Sequence, residues 1–215
     1  MTKIPDAELY APNYSPWRAV WFQDLYSKIS PHTVVSLQRC WTLWQGVSQA
    51  LNAPGDVAEA GVFQGGTAKL LREALGDRIG RQLYLFDSFE GMKSVSSTKD
   101  RHAEGDFADT SVEAVQQVVG IEPFIHFRKG WVPETFQGLE DRKFCFAHID
   151  LDLYDGVLES LKFFYPRMSP GGVIVFDDYG FASCPGARRA VDEFFADKPE
   201  RLLVLSTGQG LVHKL

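Results

Sequence analysis

The chain has 215 residues, with 22 Lys plus Arg against 28 Asp plus Glu and a formal charge of -6. That length suits one α/β domain with a core large enough to need no disulfide or metal staple. The acidic balance argues against a phosphate-neutralising surface for nucleic acid, and no apolar run approaches the ~20 residues that span a bilayer. Cys40, Cys145 and Cys184 are odd in number, far apart and without zinc-ligand spacing, as expected in a reducing cytoplasm. Residues 1–16 read as a loose arm without a signal core, which also points to the cytoplasm.

Residues 17–51 read as two helices separated at Ser30-Pro31. Trp17 and Trp21, and likewise Trp41 and Trp44, have helix-face spacing. Core or dimer packing is favoured for them over a place in a substrate pocket. After the breaker Asn52-Ala-Pro-Gly55, short apolar runs alternate with helical ones. Strands are predicted over 57–60, 82–86, 124–127, 144–149 and 173–176, and helices over 67–75, 111–119, 157–165 and 186–195. Thr110-x-x-Glu113 has the form of a capping box. Residues 201–215 read as a terminal hairpin. The pattern predicts a mostly parallel sheet with helices on both faces and one antiparallel strand at its end. The division expected is 1–55 as arm and helices and 56–215 as the main domain. Ser169-Pro-Gly-Gly172 reads as the turn into the fifth strand, and the polar segment 91–110 as either a mobile cover or a disordered loop.

Ligands of open α/β sheets sit beyond the carboxyl ends of the strands. Those ends carry Glu59, Asp87, Asp150 and the pair Asp177-Asp178. The turn after the first strand is glycine-rich, with Gly61, Gly65 and Gly66. Its G-x-x-x-G-G spacing is not the dinucleotide fingerprint. With Asp87 placed to bind ribose hydroxyls, it favours S-adenosylmethionine over a nicotinamide. Asp150, Asp152, Asp177 and Asp178 converge at neighbouring strand ends, which calls for a cation or for retained protons. Oxygen ligands select a hard ion, most plausibly Mg2+. His148 is favoured as a structural histidine over an extra ligand.

Five segments together resemble one family. They are Val57-Ala-Glu-Ala-Gly-Val-Phe-Gln-Gly-Gly66, Leu85-Phe-Asp-Ser-Phe-Glu-Gly91, His148-Ile-Asp-Leu-Asp-Leu-Tyr154, Pro170-Gly-Gly-Val-Ile-Val-Phe-Asp-Asp-Tyr-Gly180 and Gly186-Ala-Arg-Arg-Ala-Val-Asp-Glu-Phe194. Over roughly residues 30–215 the chain resembles the macrocin O-methyltransferases. These are class I, Mg2+-dependent enzymes that methylate sugar hydroxyls from S-adenosylmethionine. The resemblance implies a Rossmann-like sheet of seven strands with an N-terminal helical extension. It implies that Glu59, Gly61, Gly65 and Thr67 surround the methionine part of the cofactor, with Asp87 on the ribose and Ser88 and Phe89 beside the adenosine. Gly130 and Trp131 match the segment near the adenine, and residues 33–36 the part that closes the pocket. Asp150, Asp177 and Asp178 match the metal ligands and Asp152 the general base, with Asp150 at the catalytic centre. A small-molecule acceptor and a homodimer are implied as well.

Three other readings stand beside this one. Catechol-type methyltransferases share the fold and the metal, but they place a lysine where this chain has Leu153. A nicotinamide-dependent oxidoreductase conflicts with the glycine spacing. A non-catalytic assembly protein would have no use for the clustered carboxylates. The chain is shorter than typical family members, so the acceptor could be a sugar on a natural product, a nucleotide-linked sugar or a smaller diol.

Overall fold

Strand β1 (Asp56–Ala60) is the centre of the molecule, and it is buried along its whole length. A computed structural model of the chain describes residues 14–76, 80–93 and 95–215. The reading of 1–16 as an arm lies mostly outside them. On one side β1 pairs in parallel with β2 (Leu83–Asp87), which pairs with β3 (Ile125–Lys129). On the other side it pairs with β4 (Phe144–Ile149), which pairs with β5 (Met168–Phe176). The terminal hairpin adds β7 (Gly210–His213) antiparallel to β5, and β6 (Leu203–Val204) outside it. The seven-stranded order is β3-β2-β1-β4-β5-β7-β6, with β7 the strand that runs against the others. The predicted parallel sheet and its single reversed strand are both present.

Runs such as Phe144–Ile149 are apolar on both sides because both faces of the sheet are covered. One core gathers Val57, Leu83, Leu85 and Val175 under α1 (Val20–Ile29), α2 (Leu37–Ala50), α3 (Gly66–Leu75) and α4 (Val112–Val119). The opposite core gathers Phe86, Phe144 and Ile174 under α5 (Tyr154–Phe164) and α6 (Pro185–Phe195). Among the described residues, no helix is long and apolar enough to cross a membrane.

Local differences from the sequence reading have local causes. The chain turns at Ser30–His32, as the Ser-Pro pair predicts. Trp17 lies in a separate turn, Pro16–Arg18, so it does not share a helix with Trp21. Trp21 instead meets Trp41 and Trp44 at ring separations of 5.7 and 5.2 Å. These tryptophans pack the helices together, and the cavity described below does not use them. The N-cap lies one residue further on than predicted, and with Ala114 at the third helical position no capping box forms. Ser111 accepts from the Ala114 N–H at 3.1 Å, while the Thr110 hydroxyl donates to the Phe63 carbonyl. Ser169-Pro-Gly-Gly172 belongs to β5 instead of preceding it. The pairing with β4 slips between Phe144 and Phe146, and Gly171 and Gly172 bond to Lys214. The Pro-Gly-Gly stretch is therefore a bulge, held by the C-terminal end of the chain.

The 91–110 segment folds as a cover. Met92 and Gly105 tie its two arms, with bonds of 2.8 Å from Met92 N to Asp106 O and 2.9 Å from Gly105 N to Met92 O. Buried Asp100 accepts the Tyr154 N–H at 2.9 Å. It thereby caps α5, whose own N-cap, Leu153, has no side-chain acceptor. Gly186 makes room for this contact, since a Cβ there would lie 2.0 Å from Asp100 Oδ1.

At the far end of the sheet, Glu200 accepts from Tyr165 at 2.7 Å and from Lys214 at 2.5 Å. Burial alone would raise its pKa, but these donors hold it down at about 2. A depressed carboxylate stabilises the fold above its unfolded value, here 4.5, and loses that contribution as pH falls toward 2. Glu200→Gln is therefore expected to melt below wild type at neutral pH. Thermal scans from neutral pH down to about 2 should show the two melting temperatures converging.

Candidate active site

The site begins where β1 and β4 end side by side. Asp150 N–H donates to the Ala60 carbonyl at 2.8 Å, and Gly61 N–H to the Phe86 carbonyl at 2.9 Å. Gly61 has φ +92, and a Cβ on it would lie 1.7 Å from the Asp150 carbonyl oxygen. Only glycine lets the two backbones meet at this point. The chain then runs through Val62 and Phe63 to Gly65, the left-handed N-cap of α3. Asp87 fixes this loop. Its Oδ2 accepts the N–H groups of Val62 and Phe63 at 2.7 and 2.9 Å, and its Oδ1 that of Phe89 at 2.7 Å. One carboxylate thus ties the turn after β1 to the turn after β2.

Above these ends lies a cavity of about 660 Å³, a size suited to a cofactor or drug-sized ligand. Of the residues expected around a cofactor, Gly61, Thr67, Asp87, Ser88, Gly130 and Trp131 line it. Thr33, Val34 and Val35 close one side, where the loose match at 33–36 put them. Three others stand behind the wall. Gly65 faces Val115 and Val119 of α4. Phe89 is buried in the core beneath α1 to α4. Glu59 is fully buried, with Oε1 2.8 Å from His148 Nδ1. His148 itself is fully buried; its Nε2 has no hydrogen-bond partner among the described residues and lies 3.5 Å from Asp177 Oδ1, in a group with Asp150 and Asp177.

The other end of the cavity is acidic. Asp150, Asp152 and Asp178 all line it. Burial pushes the Asp150 carboxyl up to about 6, with the Asp152 charge adding to the rise. Burial, and then the charges of Asp150 and Asp152, raise Asp178 well above the usual carboxylate range. Asp177 does not line the cavity. It pairs with the Arg39 guanidinium from α2 and accepts from Gln209 Nε2 at 2.8 Å. Its carboxylate lies within 4.8 Å of those of Asp150 and the His148 ring.

Asp152 stands on a tight turn. Its φ is +58, and Leu153 N–H reaches back to the Leu151 carbonyl at 2.5 Å. A non-glycine residue rarely adopts this conformation, and such strain is held where surrounding bonds fix it. Here Asp178 Oδ2 accepts the Asp152 N–H at 2.9 Å. The Asp152 side chain points at two residues not anticipated from sequence. His102 Nε2, from the cover, lies 3.4 Å from its Oδ1, and Cys184 Sγ lies 3.2 Å away. His102 Nδ1 is also 3.1 Å from Asp106 Oδ2. Asp152, followed by Asp106, raises the imidazole to about 9, so it is cationic at neutral pH. Arg39 and His102 are thus the cations set against the acidic cluster. The sequence signal for His102 was its place, with Asp106 four residues on, in a segment read as a cover. Arg39 and Cys184 had no such signal.

Residues 22–200 match the macrocin O-methyltransferase family. The chain belongs to that family. It is 32% identical over 172 residues to the 8-demethyl-8-(2,3-dimethoxy-alpha-L-rhamnosyl)-tetracenomycin-C 4'-O-methyltransferase of Streptomyces olivaceus. The match covers 73% of this chain and 66% of that enzyme, so the chain spans just under two thirds of this relative's length. The mycinamicin III 3''-O-methyltransferase of Micromonospora griseorubida is 29% identical over 180 residues, covering 76% of this chain and 70% of that enzyme. Among solved structures, the O-methyltransferase NovP superposes with a TM-score of 0.77 at 27% identity, over 85% of this chain and 82% of its own. The fold is that of the class I methyltransferases, as the resemblance implied.

Proposed function

We propose that this macrocin O-methyltransferase family member moves a methyl group from S-adenosylmethionine to a hydroxyl of a sugar or sugar-bearing natural product. The observation that carries this reading is one cavity with two chemically different ends. At one end Gly61, Thr67 and Asp87 offer close backbone approach and a carboxylate at the end of β2. At the other end Asp150, Asp152 and Asp178 offer proton acceptors and cation ligands. The rhamnosyl and macrolide acceptors in the names of the relatives support a sugar hydroxyl as the acceptor.

The donor set fits a hard divalent cation. Asp150 and Asp178 supply oxygen ligands on the cavity wall, and their raised pKa values mark a cluster short of positive charge. Asp150 and Asp178, with Asp177 close behind Asp150, are the residues that would hold Mg2+. Bound there, the ion would supply a Lewis acid for the acceptor hydroxyl. Asp152, whose carboxylate lines the cavity, takes the hydroxyl proton. Trp131 and the 33–35 wall hold the adenosine side of the cofactor, and the 91–110 cover excludes water from the reacting atoms.

Titration calorimetry with S-adenosylhomocysteine, with and without Mg2+, tests the cofactor and the ion together. Binding of the nucleoside in both conditions is expected, with a separate Mg2+ heat that Asp178→Asn removes. No S-adenosylhomocysteine heat in either condition would sink the methyltransferase reading. A Mg2+ heat unchanged in the variant would sink the ligand assignment alone.

A further inference from the structure

Three side chains on the wall of the cavity form a cluster of another kind. His102 comes from the cover, Asp152 from the turn after β4, and Cys184 from the residue before α6. Their positions are too far apart in sequence for any ligand spacing to have announced them. His102 Nε2 and Asp152 Oδ1 are 3.4 Å apart, Cys184 Sγ and His102 Nε2 3.6 Å, and Cys184 Sγ and Asp152 Oδ1 3.2 Å. Zinc binds sulfur at about 2.3 Å, imidazole at about 2.0 Å and carboxylate at about 2.1 Å, with tetrahedral angles. Those lengths require edges of about 3.4 Å between N and O and about 3.6 Å for both edges to sulfur. Two observed edges meet the requirement, and the third is short by about 0.4 Å, within a small rotation of either side chain.

We propose that His102, Asp152 and Cys184 form a three-ligand site for a zinc-like divalent cation, adjoining the all-carboxylate set of Asp150 and Asp178, whose Asp178 Oδ1 lies 3.8 Å from Cys184 Sγ. One thiolate, one imidazole and one carboxylate select a borderline-soft ion, where oxygen-only ligands select Mg2+. All three residues line the cavity, so the fourth coordination position opens toward it. The ion takes the place of two protons, one on Nε2 and one on Sγ. Occupancy ties Oδ1 of Asp152 to the metal and pins the cover to the strand end. Zinc is therefore an inhibitor that competes with the acceptor. That last step rests on the proposed role of Asp152 as base, while the binding site itself does not.

The test is a titration of the whole chain with Co2+ in excess Mg2+. The expected result is intense visible absorption of tetrahedral cobalt with a thiolate charge-transfer band, both abolished by equimolar Zn2+. Cys184→Ser should lose the charge-transfer band, and His102→Gln should weaken cobalt binding by about tenfold or more. Circular dichroism checks that Cys184→Ser folds. If it does not, His102→Gln decides the matter, because His102 lies on the cover and outside both cores. A weak octahedral spectrum in the wild type would overturn the site. So would a charge-transfer band that persists in folded Cys184→Ser, which would assign it to Cys40 or Cys145. A tetrahedral spectrum without inhibition of methyl transfer supports the site and overturns the role given to Asp152.

Discussion

Asp152→Asn is expected to lower turnover by about 10²–10⁴-fold and to leave S-adenosylhomocysteine binding unchanged. The substitution keeps the size of the side chain, and asparagine tolerates the left-handed backbone that Asp152 adopts at φ +58. The Leu151–Leu153 turn and the bond from the residue's N–H to Asp178 should survive. What is lost is the negative charge and the proton-accepting oxygen. A sugar hydroxyl is a poor nucleophile at neutral pH, so the proposed reaction would depend on that acceptor. The loss should fall on kcat, because the cofactor end of the cavity is untouched. A second signal comes from His102. With Asp152 neutral, its imidazole should titrate closer to 6.5 than to 9, which NMR can follow. Normal turnover together with a shifted imidazole would make Asp152 a structural residue. Loss of Mg2+ binding with modest loss of turnover would make it a ligand.

Gly61→Ala should remove both cofactor binding and a large share of the stability. The new Cβ would stand 1.7 Å from the Asp150 carbonyl oxygen and 2.6 Å from its carbon. Neither atom is a flexible side-chain end, so β1 and β4 would have to separate. The collision and the left-handed φ together should cost roughly 2–5 kcal/mol. That is a large fraction of the 5–15 kcal/mol typical of a domain (order of magnitude). Gly105→Ala isolates the conformational part, because Gly105 has φ +89 and no atom near its Cβ position. Urea unfolding of both variants should show a clearly larger drop in midpoint for Gly61→Ala. Equal drops would mean that strain, and not the contact between the strands, sets the requirement for glycine.

The sheet was legible because the local signals agreed. Apolar runs of strand length alternated with helical periods, and Gly or Pro stood at most boundaries. The Ser169–Gly172 stretch misled because Pro and Gly also mark bulges, and its pairing partner, Lys214, lies far along the chain. Thr110 misled by one position because Ser111, next to it, is an equally good cap. At the site, Asp150, Asp152 and Asp178 could be placed because strand ends converge in any open α/β sheet. Side-chain direction could not be read in the same way. Asp177 and Asp178 are neighbours, so they point to different sides, and a fixed Arg39–Asp177 pair has no trace in spacing. His102 and Cys184 reach Asp152 only through the fold of the cover and the approach of α6, which are tertiary facts.

The Asp100 cap has a consequence for how this site can be refreshed. Asp100 and His102 are two residues apart on the cover, and they grip the two ends of one short stretch, Asp152 to Tyr154. Lifting the cover strips α5 of its side-chain acceptor at a cost of about 0.5–2 kcal/mol, and the same movement takes the imidazole away from the carboxylate. The N-terminus of α5 and the carboxylate of Asp152 thus share one support, and a change in the cover acts on both.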